Sequence, residues 1–154
     1  MTEMAKAETR GAGSVRNASD VPRLLLAEDD ADLRVLLAEQ FRRAGFEVVE
    51  AEDGTAVVEC LAQSILRADP RASYDLIVSD IRLPGLSALD VLRGARSALE
   101  TTPVILITGF GDRRTHDRAL LLGASAVFDK PIDIDDLIAA SRRLISPDDP
   151  TRRR

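Results

Sequence analysis

Tryptophan is absent from this 154-residue chain, and the other aromatics are one Tyr and four Phe. A core built from such a sequence must be aliphatic, which suits parallel strands covered by helices on both faces. One cysteine, Cys60, excludes an internal disulfide. It falls within a helical pattern and reads as a small buried apolar residue, not a redox centre. The one histidine, His116, is flanked by Asp112, Arg113, Arg114, Asp117 and Arg118 and reads as a solvated side chain. No apolar run is long enough to cross a membrane, and the N-terminus lacks the shape of a signal peptide. A cytoplasmic location without a membrane partner is the resulting expectation. The net charge of −5 argues against a nucleic-acid surface.

What is present is 45% hydrophobic and 31% charged residues, the balance of a single globular domain of ordinary size. Residues 1–22 are rich in Ala, Ser, Thr, Gly and charge and are expected to be a disordered extension. Residues 146–154, SPDDPTRRR, read as a tail. Between them, at 23–145, strand and helix patterns alternate. Leu33, Leu36, Leu37, Phe41 and Ala44 recur at helical spacing, and Gly45 stops that helix. A strand over 46–50 precedes a helix over roughly 54–68, with Val57, Val58, Leu61, Ile65 and Leu66 inward. A loop leads to a third strand at about 74–79. Pro84-Gly85 turns the chain into a helix reaching about Ala98. A fourth strand at 103–107, a helix to Leu122, a fifth strand at about 124–128 and a last helix from Asp133 complete five βα units. Ile134, Leu137, Ile138, Leu144 and Ile145 are its core side. Right-handed crossovers then give a doubly wound α/β sheet with helices on both faces.

Chemistry-bearing residues gather where the apolar runs end. Leu24-Leu25-Leu26-Ala27 is followed by Glu28-Asp29-Asp30, and Leu76-Ile77-Val78-Ser79 by Asp80. Val104-Ile105-Leu106-Ile107 is followed by Thr108-Gly109, and the fifth segment by Asp129-Lys130-Pro131. Ligands of open α/β sheets bind at this carboxyl edge. Glu28, Asp29 and Asp80 in one pocket would raise one another's pKa values unless a cation joined them. Mg²⁺ fits, being hard, oxygen-seeking and content with one or two carboxylates plus phosphate oxygens. Asp30 reads as the cap of the first helix, outside the cation's immediate ligands.

In order and in place, Glu28, Asp29, Asp80, Thr108 and Lys130 resemble the site of the receiver domain of two-component response regulators. The resemblance covers about 23–145. It implies the flavodoxin-like strand order 2-1-3-4-5. It implies Mg²⁺ held directly by Asp29 and Asp80, through water by Glu28, and by the backbone carbonyl of Arg82. Asp80 becomes the phosphoryl acceptor, Thr108 a hydroxyl donor to the phosphoryl group, Lys130 a second cation, and Lys130-Pro131 a cis bond. The phosphoryl donor that the resemblance implies is a histidine kinase or histidine phosphotransfer protein. The expected output surface is the face at about 110–145, read by a downstream protein, on the expectation that nine residues beyond the last helix are too few for an output domain. Val127 stands where the family often carries an aromatic that swings inward on phosphorylation. Phe128 beside it points to the opposite face and reads as core. Two rivals remain: a pseudo-receiver that binds without being phosphorylated, and a Mg²⁺-dependent phosphatase, for which a spare general acid or base is missing.

Overall fold

Each apolar run of the sequence becomes a short parallel strand. The computed structural model describes residues 21–66, 73–85, 87, 90, 92, 102–109 and 113–146. The strands are β1 (Arg23–Ala27), β2 (Glu47–Ala51), β3 (Leu76–Asp80), β4 (Val104–Thr108) and β5 (Ala126–Asp129). They form one sheet in the order β2-β1-β3-β4-β5, every neighbouring pair parallel. Among the described residues four helices accompany it: α1 (Ala31–Arg43), α2 (Gly54–Leu66), α3 (Arg113–Leu121) and α4 (Ile134–Ile145). Of the extensions expected at 1–22 and 146–154, residues 1–20 and 147–154 lie outside the described residues, as does most of the helix expected after Gly85.

Strand alternation divides the core into two layers. Leu24, Leu26, Leu76, Val78, Ile105 and Ile107 meet Leu37 and Phe41 of α1 and Leu137 of α4. Leu25, Ala27, Ile77 and Leu106 meet Val57 and Leu61 of α2 and Ala119 of α3 on the other face. Phe128 packs into the first layer and Val127 into the second, as alternation requires. Leu24, Leu25, Leu26, Ile105 and Leu106 are fully buried, each worth about 1.5–3 kcal/mol of transfer free energy.

The helix ends follow their local chemistry. Asp30 caps α1, its side chain accepting from the Leu33 amide. At the other end the Gly45 amide donates to Arg42 and the Phe46 amide to Phe41, both at 3.0 Å. Gly45 has φ +100°, a conformation glycine adopts without steric penalty. Phe46 closes the motif edge-on against Phe41, ring centroids 5.2 Å apart.

Several inward assignments need correcting. Leu36 is 43% exposed, and Val58, Ile65 and Leu66 also face solvent. The buried stripe of α2 is Gly54, Val57, Leu61 and Ser64; Val58 lies about 100° around the helix from Val57 and misses it. Cys60 is half-buried beside that stripe. Strand limits shift by one or two residues, so Asp80 closes β3 instead of following it.

Candidate functional site

The parallel register delivers the chemistry to one edge. Ala27 of β1 pairs with Ser79 of β3, and Asp80 pairs with Ile107 of β4. Thr108 pairs with Asp129 of β5. Asp80 and Thr108, which end their strands, and Glu28 and Lys130, which directly follow theirs, therefore emerge side by side. Asp29 joins them from the turn into α1. The carboxylates of Glu28, Asp29 and Asp80 each offer an oxygen within 4.8 Å of the others. Glu28 is 1% and Asp80 6% exposed, whereas Asp29 is open to solvent.

Lys130 reaches into this cluster from the end of β5. Its Nζ donates to Asp80 Oδ2 at 2.8 Å and lies 3.2 Å from Glu28 Oε1. The Lys130-Pro131 peptide is cis, as the resemblance implied. The Lys130 amide donates to the Thr108 carbonyl at 2.8 Å, which locks β5 to β4 beside the site. A Cβ on Gly109 would stand 3.8 Å from Lys130 Cδ, so the loop runs close along the lysine stem. The Arg82 amide donates to Asp80 Oδ1 at 2.9 Å, which fixes the plane of that carboxylate.

The electrostatics show what the cluster needs. Burial pushes the Glu28 carboxyl up from 4.5, reinforced by the Asp80 charge and opposed by the Asp30 amide and Lys130. Burial pulls on the Lys130 ammonium in the opposite sense, but the hydrogen bond and charge of Asp80, with Glu28, hold it above 10.5. Glu28 Oε2 accepts from the Asp30 amide at 3.0 Å. Glu28 Oε1 is buried and makes no well-directed hydrogen bond; the Lys130 contact is ionic. An all-oxygen donor set with one buried carboxylate oxygen that lacks a hydrogen bond suits a hard divalent cation, which would offset charge that one lysine leaves uncompensated.

Two features escaped the sequence reading. His116 is not simply solvated: its Nε2 lies 2.8 Å from Asp129 Oδ1, tying α3 to the residue before Lys130. Arg34, in the first turns of α1, donates from Nη1 to the Glu28 carbonyl at 2.7 Å. A cation near a helix N-terminus opposes the helix dipole, and that misplacement was the available signal.

The chain matches the model of the response regulator receiver domain over residues 24–142. It is 36% identical to the transcriptional regulatory protein PdtaR of Mycobacterium tuberculosis over 125 residues, 80% of this chain and 57% of that protein. It is 36% identical to the transcriptional activator protein PfeR of Pseudomonas aeruginosa over 124 residues, 80% of this chain and 38% of that one. Sporulation initiation phosphotransferase F of Bacillus subtilis is 25% identical, with 80% of this chain and 93% of that one covered. The chain thus spans between about two fifths and three fifths of the length of several curated relatives. Among solved structures, the Francisella response regulator 1452 receiver domain superposes with a TM-score of 0.70 at 26% identity, covering 80% of this chain and 96% of that one. A response regulator receiver domain from Clostridium thermocellum gives 0.72 at 25%, covering 81% and 94%. Fold, edge residues and family match agree: the chain belongs to the response regulator receiver domain family of two-component signalling.

Proposed function

We propose that the domain, taken as 23–145, accepts a phosphoryl group on Asp80 from a phosphohistidine of a histidine kinase or histidine phosphotransfer protein. The observation that carries this reading is the Lys130 ammonium 2.8 Å from Asp80 Oδ2, with Glu28 and Asp29 alongside. An Asp80 oxygen attacks phosphorus; the acyl-phosphate P–O bond forms as the P–N bond breaks, and the electron pair leaves on the imidazole nitrogen. Such transfers need positioning and charge neutralisation more than covalent help. Lys130 holds the acceptor carboxylate and then a phosphoryl oxygen. Thr108 donates its hydroxyl to another. Glu28, Asp29, Asp80 and the Arg82 carbonyl would hold Mg²⁺, which when bound neutralises charge on the phosphoryl oxygens. Hydrolysis of the acyl phosphate returns the domain to rest, so its only catalysis acts on itself. The output surface is the face of α3, β5 and α4, within 110–145, read by a partner protein.

The test is incubation with acetyl phosphate and Mg²⁺ followed by intact mass. One phosphoryl group per chain is expected on wild type and none on Asp80→Asn. Undiminished labelling of that variant refutes the assignment. Sustained turnover of a small phosphate ester would favour a phosphatase, and Mg²⁺-independent partner binding with no labelling a pseudo-receiver.

A further inference from the structure

We propose that Arg34 is a positioning residue for the acidic edge, setting the orientation in which Glu28 and Asp29 meet the cation. The proposal rests on the metal-dependent reading above and extends it to a side chain outside the cluster. Every polar group of Glu28 but one is hydrogen-bonded, and that one, Oε1, has the ionic contact with Lys130. Its amide donates to the Ala51 carbonyl at 3.0 Å. Its Oε2 accepts from the Asp30 amide. Its carbonyl accepts from Arg34 Nη1 at 2.7 Å. Only Oε1 is left for the cluster, and it is the atom without a well-directed hydrogen bond.

The guanidinium is itself held. Arg34 Nε donates to Glu50 Oε1 at 3.3 Å, and its side chain is only 15% exposed. Arg42, two turns further along α1, grips the other Glu50 oxygen at 3.2 Å and the Val48 carbonyl at 3.1 Å. A brace thus runs from α1 through β2 back to the peptide joining Glu28 to Asp29. That peptide's plane decides where the Asp29 side chain begins. Without Arg34 the Glu28 carbonyl loses a charged donor and the peptide is free to rotate toward another. Groups that orient metal ligands typically change affinity by about 10–100-fold when removed.

The experiment measures Mg²⁺ binding by calorimetry on metal-free protein, thermal unfolding in EDTA, and acetyl phosphate labelling against Mg²⁺ concentration. Arg34→Ala should weaken Mg²⁺ about 10-fold or more. Its labelling rate at saturating Mg²⁺ should stay within about twofold of wild type, because Asp80, Lys130 and Thr108 are untouched. Arg34→Lys should recover part of the affinity, since an ammonium can still reach the carbonyl. Glu50→Gln should give an intermediate loss, and Arg43→Ala, on the exposed side of α1, none. Unchanged Mg²⁺ affinity in a folded Arg34→Ala overturns the proposal, as does a loss in which the lysine variant equals the alanine variant. If Arg34→Ala does not fold, the lysine and Glu50→Gln arms decide. Failure of wild type to label while binding Mg²⁺ would sink the phosphoacceptor reading and leave this one standing on calorimetry.

Discussion

Single side chains in this domain are placed by what surrounds them more than by what they are. Tyr74 is the one tyrosine, in a chain without tryptophan. It is buried with the Arg23 guanidinium 4.7 Å from its ring centroid. Burial, and next the Cys60 thiol, push its hydroxyl up from 10.0 to about 12, against the pull of Arg23. A raised phenol binds its proton more tightly in the folded chain than in the unfolded one. The stability this represents is whole below pH 10 and is lost as pH rises through about 12, about 3 kcal/mol in all. Absorbance of the folded protein at the phenolate band should therefore rise with a midpoint near 12, and near 10 in denaturant. Equal midpoints in the two states would show the ring to be solvated. The Asp129 contact of His116 is not legible for a related reason: that partner comes from another element 13 residues away, and residue type alone cannot supply it.

At the scale of elements, strands and caps were legible, while helix faces were legible only in part. Four-to-five-residue apolar runs ending in polar residues define strands directly, because both sheet faces are covered. Asp30 before a periodic run announced its cap, which the structure shows. Leu36 and Val58 each neighbour a buried residue in sequence, and in a helix that neighbour lies about 100° away. The turn from β1 to α1 separates capping from metal binding within two adjacent residues. Asp30→Ala should lower stability by about 1 kcal/mol and change Mg²⁺ affinity little. Asp29→Ala, at an exposed position beside two like charges, should weaken Mg²⁺ strongly and leave metal-free stability unreduced. Chemical denaturation with and without Mg²⁺ distinguishes the two. The opposite pattern would move the ligand assignment by one residue.

For the whole molecule, parallel register turns separate sequence signals into one site. Alternation and short loops imply the doubly wound class. The order of the strands came only through the family resemblance, since periodicity does not say which strands are neighbours. Convergence has an electrostatic consequence. The folded chain gathers Glu28, Asp29 and Asp80, and Lys130 is the ammonium that contacts two of them. The Glu28 carboxyl, raised by burial, binds its proton more tightly folded than unfolded. Its contribution is therefore fully present below about 4.5 and is lost as pH rises through the folded value. The ionised form that costs stability is the form a cation binds. Glu28→Gln removes that titration, so the stability of the variant relative to metal-free wild type should increase as pH climbs from about 4.5. Mg²⁺ should raise the melting temperature of wild type more at neutral pH, where the Glu28 proton is more readily lost, than at pH 4.5, where the raised Glu28 carboxyl keeps it. It should do less for the variant at neutral pH, and the two gains should converge at pH 4.5, where Glu28 is itself uncharged. Thermal melts of both proteins across this range, with EDTA or Mg²⁺, measure each slope. A pH-independent difference between the two, with equal Mg²⁺ gains, would mean that Glu28 neither strains the metal-free edge nor helps to hold the ion.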